Sequence, residues 1–176
     1  EFVTAYSEQH RVYHTLEHIV SMLDEYQVIG GQDTATILAI WGHDVVYDSQ
    51  VNNNEYRSGL HTLRVAERLG VDSRLYSELS RRVNMTKHPS TPTHREDMLI
   101  VDLDLMILGS SETRFDTYET RVRQEYSWVT EADFRFHRSK FLQTLLDQPS
   151  IYYTDWFTEK YEAKARANLE RSIKKL

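Results

Sequence analysis

The chain of 176 residues contains no cysteine, so any metal site must be built from nitrogen and oxygen ligands. No apolar run approaches the roughly 20 residues that a transmembrane helix needs, and we expect no membrane partner. Basic residues are in the minority, because 21 Lys and Arg face 27 Asp and Glu and leave a formal net charge of −6. Since sequence-independent binding to DNA or RNA depends on a basic surface, we expect no nucleic acid polymer as a partner.

The first residues lack a basic segment followed by an apolar stretch, so they do not indicate secretion and we expect a cytoplasmic protein. Hydrophobic content of 40% and charged content of 27% are ordinary for a globular chain. The length suits one domain with a sizeable core, and we predict a single domain over residues 1–176. Nothing in the sequence indicates an oligomeric state.

Apolar residues recur at helical spacing along most of the chain, which predicts an all-α fold. The first long helix is predicted over residues 14–26. The second is predicted to begin at Asp33 or Thr34 and to carry His43 and Asp44 in its last turns. Further helices are predicted at residues 60–69, 75–83, 98–108, 111–126 and 130–145, and after Pro149.

Two of the three prolines, Pro89 and Pro92, interrupt this pattern and predict a loop that begins near His88 and is suited to line a site. The apolar run that follows, at residues 98–108, fits either a helix or a buried strand by periodicity. Gly109 is a good C-terminal cap and favours the helix.

Histidines and carboxylates are grouped in short motifs: His14 and His18, then His43 with Asp44, then Asp104 within an apolar run. Neutral imidazole and carboxylate together hold borderline divalent metal ions. A carboxylate among apolar residues needs a metal, a cation or several donors, a salt bridge being the plainest explanation for Asp104. If residues 10–18 are helical, His10, His14 and His18 form one stripe, and spacing alone does not choose between the last two as a ligand.

A longer set of positions accompanies these motifs: Tyr6, Arg11, Tyr13, Trp41, Tyr47, Asp48, Asn54, Glu55, Ser58, Thr86, Lys87, His88, Asp102, Leu108, Gly109, Glu125, Tyr126, Arg138, Ile151, Tyr152 and residues 165–169. In order and spacing the whole set resembles the HD superfamily of metal-dependent phosphohydrolases. It is most similar to a bacterial branch described only as predicted HD-type phosphohydrolases. The resemblance extends over nearly the whole chain and implies a compact all-α helical bundle with a metal site between helices.

The resemblance implies that His14, His43, Asp44 and Asp104 are the metal ligands and that His18 is their neighbour in the substrate pocket. Two imidazoles and two carboxylates leave coordination positions open for water and a phosphate oxygen. They suit one Mn, Fe, Co, Ni or Zn ion better than Mg, and they are compatible with a second metal ion. The implied reaction is hydrolysis of a small phosphorylated substrate, a phosphomonoester or pyrophosphate and preferably a nucleotide, by a metal-activated water.

Other polar residues receive roles in the same reaction. We expect Glu55 or Asp48 to orient or deprotonate the water, and Lys87 to neutralise charge on the phosphate. Nucleotidases of this fold have a glutamate where this chain has Tyr47, so a nucleoside monophosphate is not implied as the substrate. For each cationic residue a surface salt bridge is the alternative role. Substrate contacts are predicted from Arg11, His18, Arg57, His88 and Arg138.

Three other functions remain open at this point. His14 to His18 also matches the H-x-x-E-H pattern of a zinc metallopeptidase, although that reading leaves His43, Asp44 and Asp104 unexplained. A di-iron oxygenase of the HD fold would need extra histidine ligands, such as His88. A non-catalytic protein that binds a metal or a small ligand is the third alternative.

Overall fold

Nine α-helices and two short 3-10 helices form the chain in a computed structural model that describes residues 1–176, and the prediction of an all-α fold is confirmed. None of the helices has both the length and the hydropathy needed to cross a membrane. The α-helices are α1 (Phe2–Ala5), α2 (Leu16–Val28), α3 (Thr34–Gly42), α4 (Asn54–Arg68), α5 (Tyr76–Met85), α6 (Arg95–Leu105), α7 (Glu112–Glu125), α8 (Glu131–Leu146) and α9 (Asp155–Ile173). The 3-10 helices are Ser73–Leu75 and Met106–Gly109.

The helices divide into two units, residues 1–103 and residues 104–176. The division falls inside α6, whose last two residues, Asp104 and Leu105, are counted with the second unit. The expected single domain over residues 1–176 stays a prediction.

Helix α3 is central to the first unit, where it packs against α2, α4 and α5. Its apolar sequence explains this position, since Ala35, Leu38, Ala39 and Ile40 are all buried. The buried face of α4 consists largely of small residues, which lets its backbone approach the end of α3. That close approach places the residues that follow α3 beside the first turns of α4.

Several predicted helix boundaries differ from the structure, and two of these differences affect the histidines. Residues 7–15 are not helical, and α2 begins only at Leu16, after Thr15 with its extended backbone. His14 therefore precedes the helix, and the predicted stripe of histidines on one helix face does not exist. Helix α3 ends at Gly42, so His43 is its C-cap and Asp44 lies beyond its last turn. The apolar residues at helical spacing predicted a helix from His14, but the burial of Arg11 and Tyr13 shows a tertiary constraint that spacing does not report.

The second unit contains α7, α8 and α9 with the 3-10 helix Met106–Gly109, and its core includes Phe115, Leu142, Phe157 and Leu169. The predicted starts of α7 and α8 are confirmed by their caps. The Ser111 hydroxyl accepts a hydrogen bond from the Arg114 N–H at 3.4 Å, and the Thr130 hydroxyl accepts one from the Asp133 N–H at 3.2 Å.

Asp33 caps α3 and contacts a buried arginine. Its carboxylate accepts hydrogen bonds from the Thr36 N–H at 2.8 Å and the Thr36 hydroxyl at 2.9 Å, and it forms an ion pair with Arg82. Burial acts to raise the pKa of Asp33, but the Thr36 hydrogen bonds and the Arg82 partner outweigh it, so the pKa lies below 3.8. The carboxylate therefore stabilises the fold fully above the unfolded-state pKa, and this contribution is lost as the pH falls through the lower folded-state pKa.

We expect Asp33→Ala to lower the free energy of unfolding by about 1–2 kcal/mol, the usual value of an N-cap. Asp33→Asn keeps a capping oxygen but loses the charge, so it should cost less at pH 7 and make stability less dependent on pH below 4. Urea denaturation at pH 7 and at a pH below 4 measures these effects. Asp72→Ala, at the exposed cap of a 3-10 helix, is the matched control. Equal losses in Asp33→Ala and Asp72→Ala would contradict the prediction.

Candidate metal centre

Two buried imidazoles face each other at the centre of the candidate site. His18 lies in the first turn of α2 and His43 at the end of α3, and their Nε2 atoms are 3.2 Å apart. His43 Nδ1 donates a hydrogen bond to the Ile40 carbonyl oxygen at 2.9 Å, which leaves the lone pair of a neutral ring on Nε2. His18 Nδ1 lies 3.2 Å from the Tyr13 hydroxyl. Metal-binding histidines are usually oriented in this way, by a carbonyl or hydroxyl on the other ring nitrogen.

Asp44 adds a carboxylate to this pair. Its Oδ2 atom is 3.1 Å from His43 Nε2 and 4.0 Å from His14 Nε2. Adjacent ligand atoms around a transition-metal ion, each at about 2.1 Å from it, are about 3 Å apart. The separations between His18 and His43 and between His43 and Asp44 therefore fit a shared ion. The side chains of His14 and Asp44 are 21% and 14% exposed, so they lie on the solvent side of the pair.

Asp104 lies in the last turn of α6, a helix that begins in the first unit. Asp104 is half-buried there and is counted with the second unit. Of the expected ligands, His43 and Asp44 lie 3.1 Å apart, and His18 Nε2 is found 3.2 Å from His43 Nε2, where His14 was expected. The ligand assignment remains a prediction, and these distances favour His18 over His14.

Side chains from α4 hold the irregular segment that carries Asp44. The Ser58 hydroxyl contacts both the N–H and the carbonyl oxygen of Val46, each at 3.1 Å. The Asn54 side chain accepts from the Asp48 N–H at 3.1 Å and donates to the Asp48 carbonyl at 2.8 Å. These hydrogen bonds replace the backbone partners that a helix would supply. Ser58 and Asn54 have no role that spacing in the sequence predicts, because neither their partners nor the irregular segment can be inferred from it.

Tyr47 orients His14. The two rings are stacked with their centroids 4.2 Å apart and their planes 28° apart. His10 Nε2 lies 2.9 Å from the Tyr47 carbonyl oxygen, so the backbone of Tyr47 is also held. Tyr47 is one of the positions that carry the HD resemblance and is also a departure from the nucleotidases, but neither observation predicted this contact with His14.

The two candidates for the general base are in different situations. The Asp48 carboxylate accepts a hydrogen bond from the Gln50 N–H at 2.9 Å and so stabilises its own turn. Glu55 is half-buried in the first turn of α4. The structure therefore leaves the assignment of either residue as the base a prediction, and Asp48 already has a local structural role.

The predicted phosphate contacts in the first unit fall into two groups. Arg57 is exposed on α4, Lys87 is exposed and donates to the Asn52 carbonyl at 2.7 Å, and His88 is half-buried in the proline loop. Arg11 differs, because its side chain is 0% exposed and its donors point to carbonyl and carboxylate oxygens of the chain. Arg11 cannot reach a ligand in this conformation.

Arg138 belongs to the second unit and has protein partners. It forms an ion pair with Glu119 and donates to the Tyr118 hydroxyl at 2.8 Å. Burial acts to lower the pKa of Arg138, but the neighbouring Tyr118 and Glu119 outweigh it and keep the pKa above its ordinary value. Burial raises the pKa of Tyr118, Arg138 opposes this, and the charges of Glu119 and Asp104 add to the rise. Arg138 is therefore a permanent cation within the electrostatic environment that Tyr118 shares with Asp104.

Comparison of the chain with protein-family models, curated proteins and solved structures gives no match. The HD resemblance therefore rests on the quoted residues, and membership of that superfamily stays a prediction.

Proposed function

We propose that the protein is a metal-dependent phosphohydrolase that acts on a small phosphorylated molecule, with a nucleotide as the favoured substrate. The observation that carries the proposal is the position of His43, whose Nε2 atom lies 3.2 Å from His18 Nε2 and 3.1 Å from Asp44 Oδ2. Imidazole and carboxylate without thiolate suit one Mn, Fe, Co, Ni or Zn ion. Such an ion, when bound, polarises a phosphoryl oxygen and lowers the pKa of water.

The residues of the chain have distinct roles in this proposal. His18, His43, Asp44 and Asp104 would hold the ion, and the hydrogen bond to the Ile40 carbonyl favours the His43 tautomer whose lone pair is on Nε2. The water oxygen forms the new bond to phosphorus and the water gives one proton to the expected base, Glu55 or Asp48, as the bond from phosphorus to the leaving oxygen breaks. His14, beside Asp44 and partly exposed, is placed to give a proton to that leaving oxygen. The stacking of the His14 ring on Tyr47 would keep this ring oriented toward the leaving oxygen.

Two observations support hydrolysis at phosphorus over the metallopeptidase alternative. His14 precedes α2, whereas the H-x-x-E-H pattern needs both histidines on one helix. Glu17, which would be the base of the peptidase, is exposed. The phosphohydrolase proposal, in contrast, gives roles to His43, Asp44 and Asp104.

The proposal is tested by phosphate or pyrophosphate release from a panel of nucleotides and small phosphomonoesters in the presence of Mn²⁺. We expect release by the wild-type protein, loss on chelation and recovery when Mn²⁺ is returned. Asp44→Asn should reduce turnover at least about 100-fold, since even the partners that orient metal ligands are worth 10–100-fold. Asp24→Asn, an exposed carboxylate on α2, is the matched control and should remain active.

Three outcomes would overturn the proposal. Absence of release from every compound would indicate a non-catalytic metal or ligand-binding protein. Two irons per chain with oxygen-dependent turnover would indicate an oxygenase. Equal activity of wild type and Asp44→Asn would show that any observed release comes from a different site.

A further inference from the structure

Arg11 is a fully enclosed cation at the junction of two segments of the first unit. Its Nη1 donates to the Asp44 carbonyl at 2.7 Å and to the His14 carbonyl at 3.3 Å, and its Nη2 donates to the Val45 carbonyl at 3.0 Å. Its Nε donates to Glu8 Oε2 at 3.0 Å. One guanidinium thus joins the backbone of His14 to the backbone of Asp44 and Val45.

Aromatic rings hold the same guanidinium in place. Its central carbon lies 5.1 Å from the centroid of the Tyr6 ring and 5.5 Å from that of Tyr47, within the range of a cation–π contact. The Tyr6 hydroxyl donates to the Trp41 carbonyl at 2.9 Å, which ties this ring to α3. Tyr47 in turn stacks on His14. The position of Arg11 is therefore coupled to α3 and to the His14 ring.

The carbonyl groups explain why an arginine is needed here. Asp44 and Val45 follow the C-terminus of α3, where carbonyl oxygens have no partner within the helix. A buried carbonyl without a donor costs free energy, so the segment would shift or open if Arg11 were lost. Arginine has a planar fork that reaches several acceptors at once, whereas lysine offers one ammonium group on a flexible stem.

We propose that Arg11 is a positioning residue that holds the backbone of His14 beside that of Asp44 and so sets Asp44 for metal binding. This role takes the place of the phosphate contact expected from the sequence, and it rests on the proposed metal-dependent function. It predicts that Arg11 affects the metal site through the backbone of residues 43–48, without touching a substrate.

The test compares Arg11→Lys with Arg82→Lys, a matched change at another buried arginine, which contacts Asp33, Thr36 and Glu78. We expect both variants to be less stable, but only Arg11→Lys to weaken Mn²⁺ binding by about 10–100-fold, the range for partners that orient metal ligands. Hydrogen exchange of the metal-free protein should be faster at residues 43–48 in Arg11→Lys alone. Titration calorimetry with Mn²⁺ and exchange read by mass spectrometry supply the two measurements.

A milder variant keeps the test valid if Arg11→Lys does not fold. Glu8→Gln alters only the half-exposed carboxylate that accepts from Arg11 Nε, and we expect a weakening of Mn²⁺ binding by a few-fold, below the 10–100-fold range for Arg11→Lys. Unchanged affinity and exchange in the Arg11 and Glu8 variants would overturn the inference and leave the proposed function intact. Equal loss of Mn²⁺ affinity in Arg82→Lys would also overturn the inference. A higher KM of Arg11→Lys with unchanged Mn²⁺ affinity would do the same. Wild-type protein that binds no Mn²⁺ would overturn both proposals.

Discussion

Replacing His18 with alanine is expected to weaken Mn²⁺ binding at least about 100-fold, because the change removes one of the two imidazoles that face each other at 3.2 Å. His14→Gln should bind Mn²⁺ nearly as well as the wild type and yet lose about 100–10,000-fold in turnover, the usual contribution of a general acid. The contrast follows from the distances at the site, because His18 Nε2 and Asp44 Oδ2 lie 3.2 Å and 3.1 Å from His43 Nε2, whereas His14 Nε2 lies 4.0 Å from Asp44 Oδ2. Calorimetric Mn²⁺ titration and assays of phosphate release separate the two effects.

His137→Ala is the control for this comparison, since His137 is exposed on α8 and should affect neither measurement. The opposite pattern, in which His14→Gln loses the metal and His18→Ala keeps it, would restore the ligand set implied by the HD resemblance. Loss of the metal in both variants would indicate that both histidines are ligands.

Gly42→Ala is expected to lower the free energy of unfolding by about 3 kcal/mol, at the upper end of the usual cost of overpacking a core. A Cβ atom at Gly42 would collide with the Thr62 hydroxyl and lie 2.6 Å from Thr62 Cγ2 and 2.8 Å from Thr62 Cβ. Thr62 cannot easily turn away, because it is buried and its hydroxyl donates to the Ser58 carbonyl at 2.7 Å. Urea denaturation monitored by circular dichroism measures the loss.

The same change should also weaken Mn²⁺ binding, because His43 is the next residue and moves with the end of α3. Gly59→Ala is the matched control on α4, where the nearest atom to a new Cβ is the Asn84 side-chain nitrogen at 3.3 Å. Its effect should stay within about 1 kcal/mol, since alanine is favoured over glycine in a helix. Thr62→Ala should recover part of the stability lost in Gly42→Ala, because it removes the hydroxyl and Cγ2. Equal stability of the Gly42 and Gly59 variants would contradict the described approach of α3 to α4.

In helix α4, two of the apolar residues that predicted the helix are not buried. The pattern of residues 60–69 predicted a helix there, and a helix is present. However, Leu60 and Leu69, which marked the pattern, are 42% and 67% exposed, whereas Thr62 is buried. Close approach of two backbones requires small side chains at the contact, so steric fit outweighs hydrophobicity on this face.

The segment from Arg11 to His18 shows the same limit for the site. Metal-binding residue types and their order were visible in the sequence, and the resemblance placed His14 among the ligands. In the structure helix α2 begins only after His14, and His18 contacts His43 instead. Arg11 was expected to bind phosphate because arginine often does so, but burial directs its donors to backbone carbonyls.

By itself the sequence determined the all-α class, the starts of α7 and α8 at Ser111 and Thr130, and the absence of thiolate from any metal site. These features depend on side-chain type and on contacts between residues a few positions apart. Only the tertiary structure decided which histidine faces His43 and which groups Arg11 contacts. The contacts of His18 with His43 and of Arg11 with the Asp44 and Val45 carbonyls join residues that are 25 to 34 positions apart, and they depend on how helices and irregular segments pack, which local periodicity does not specify.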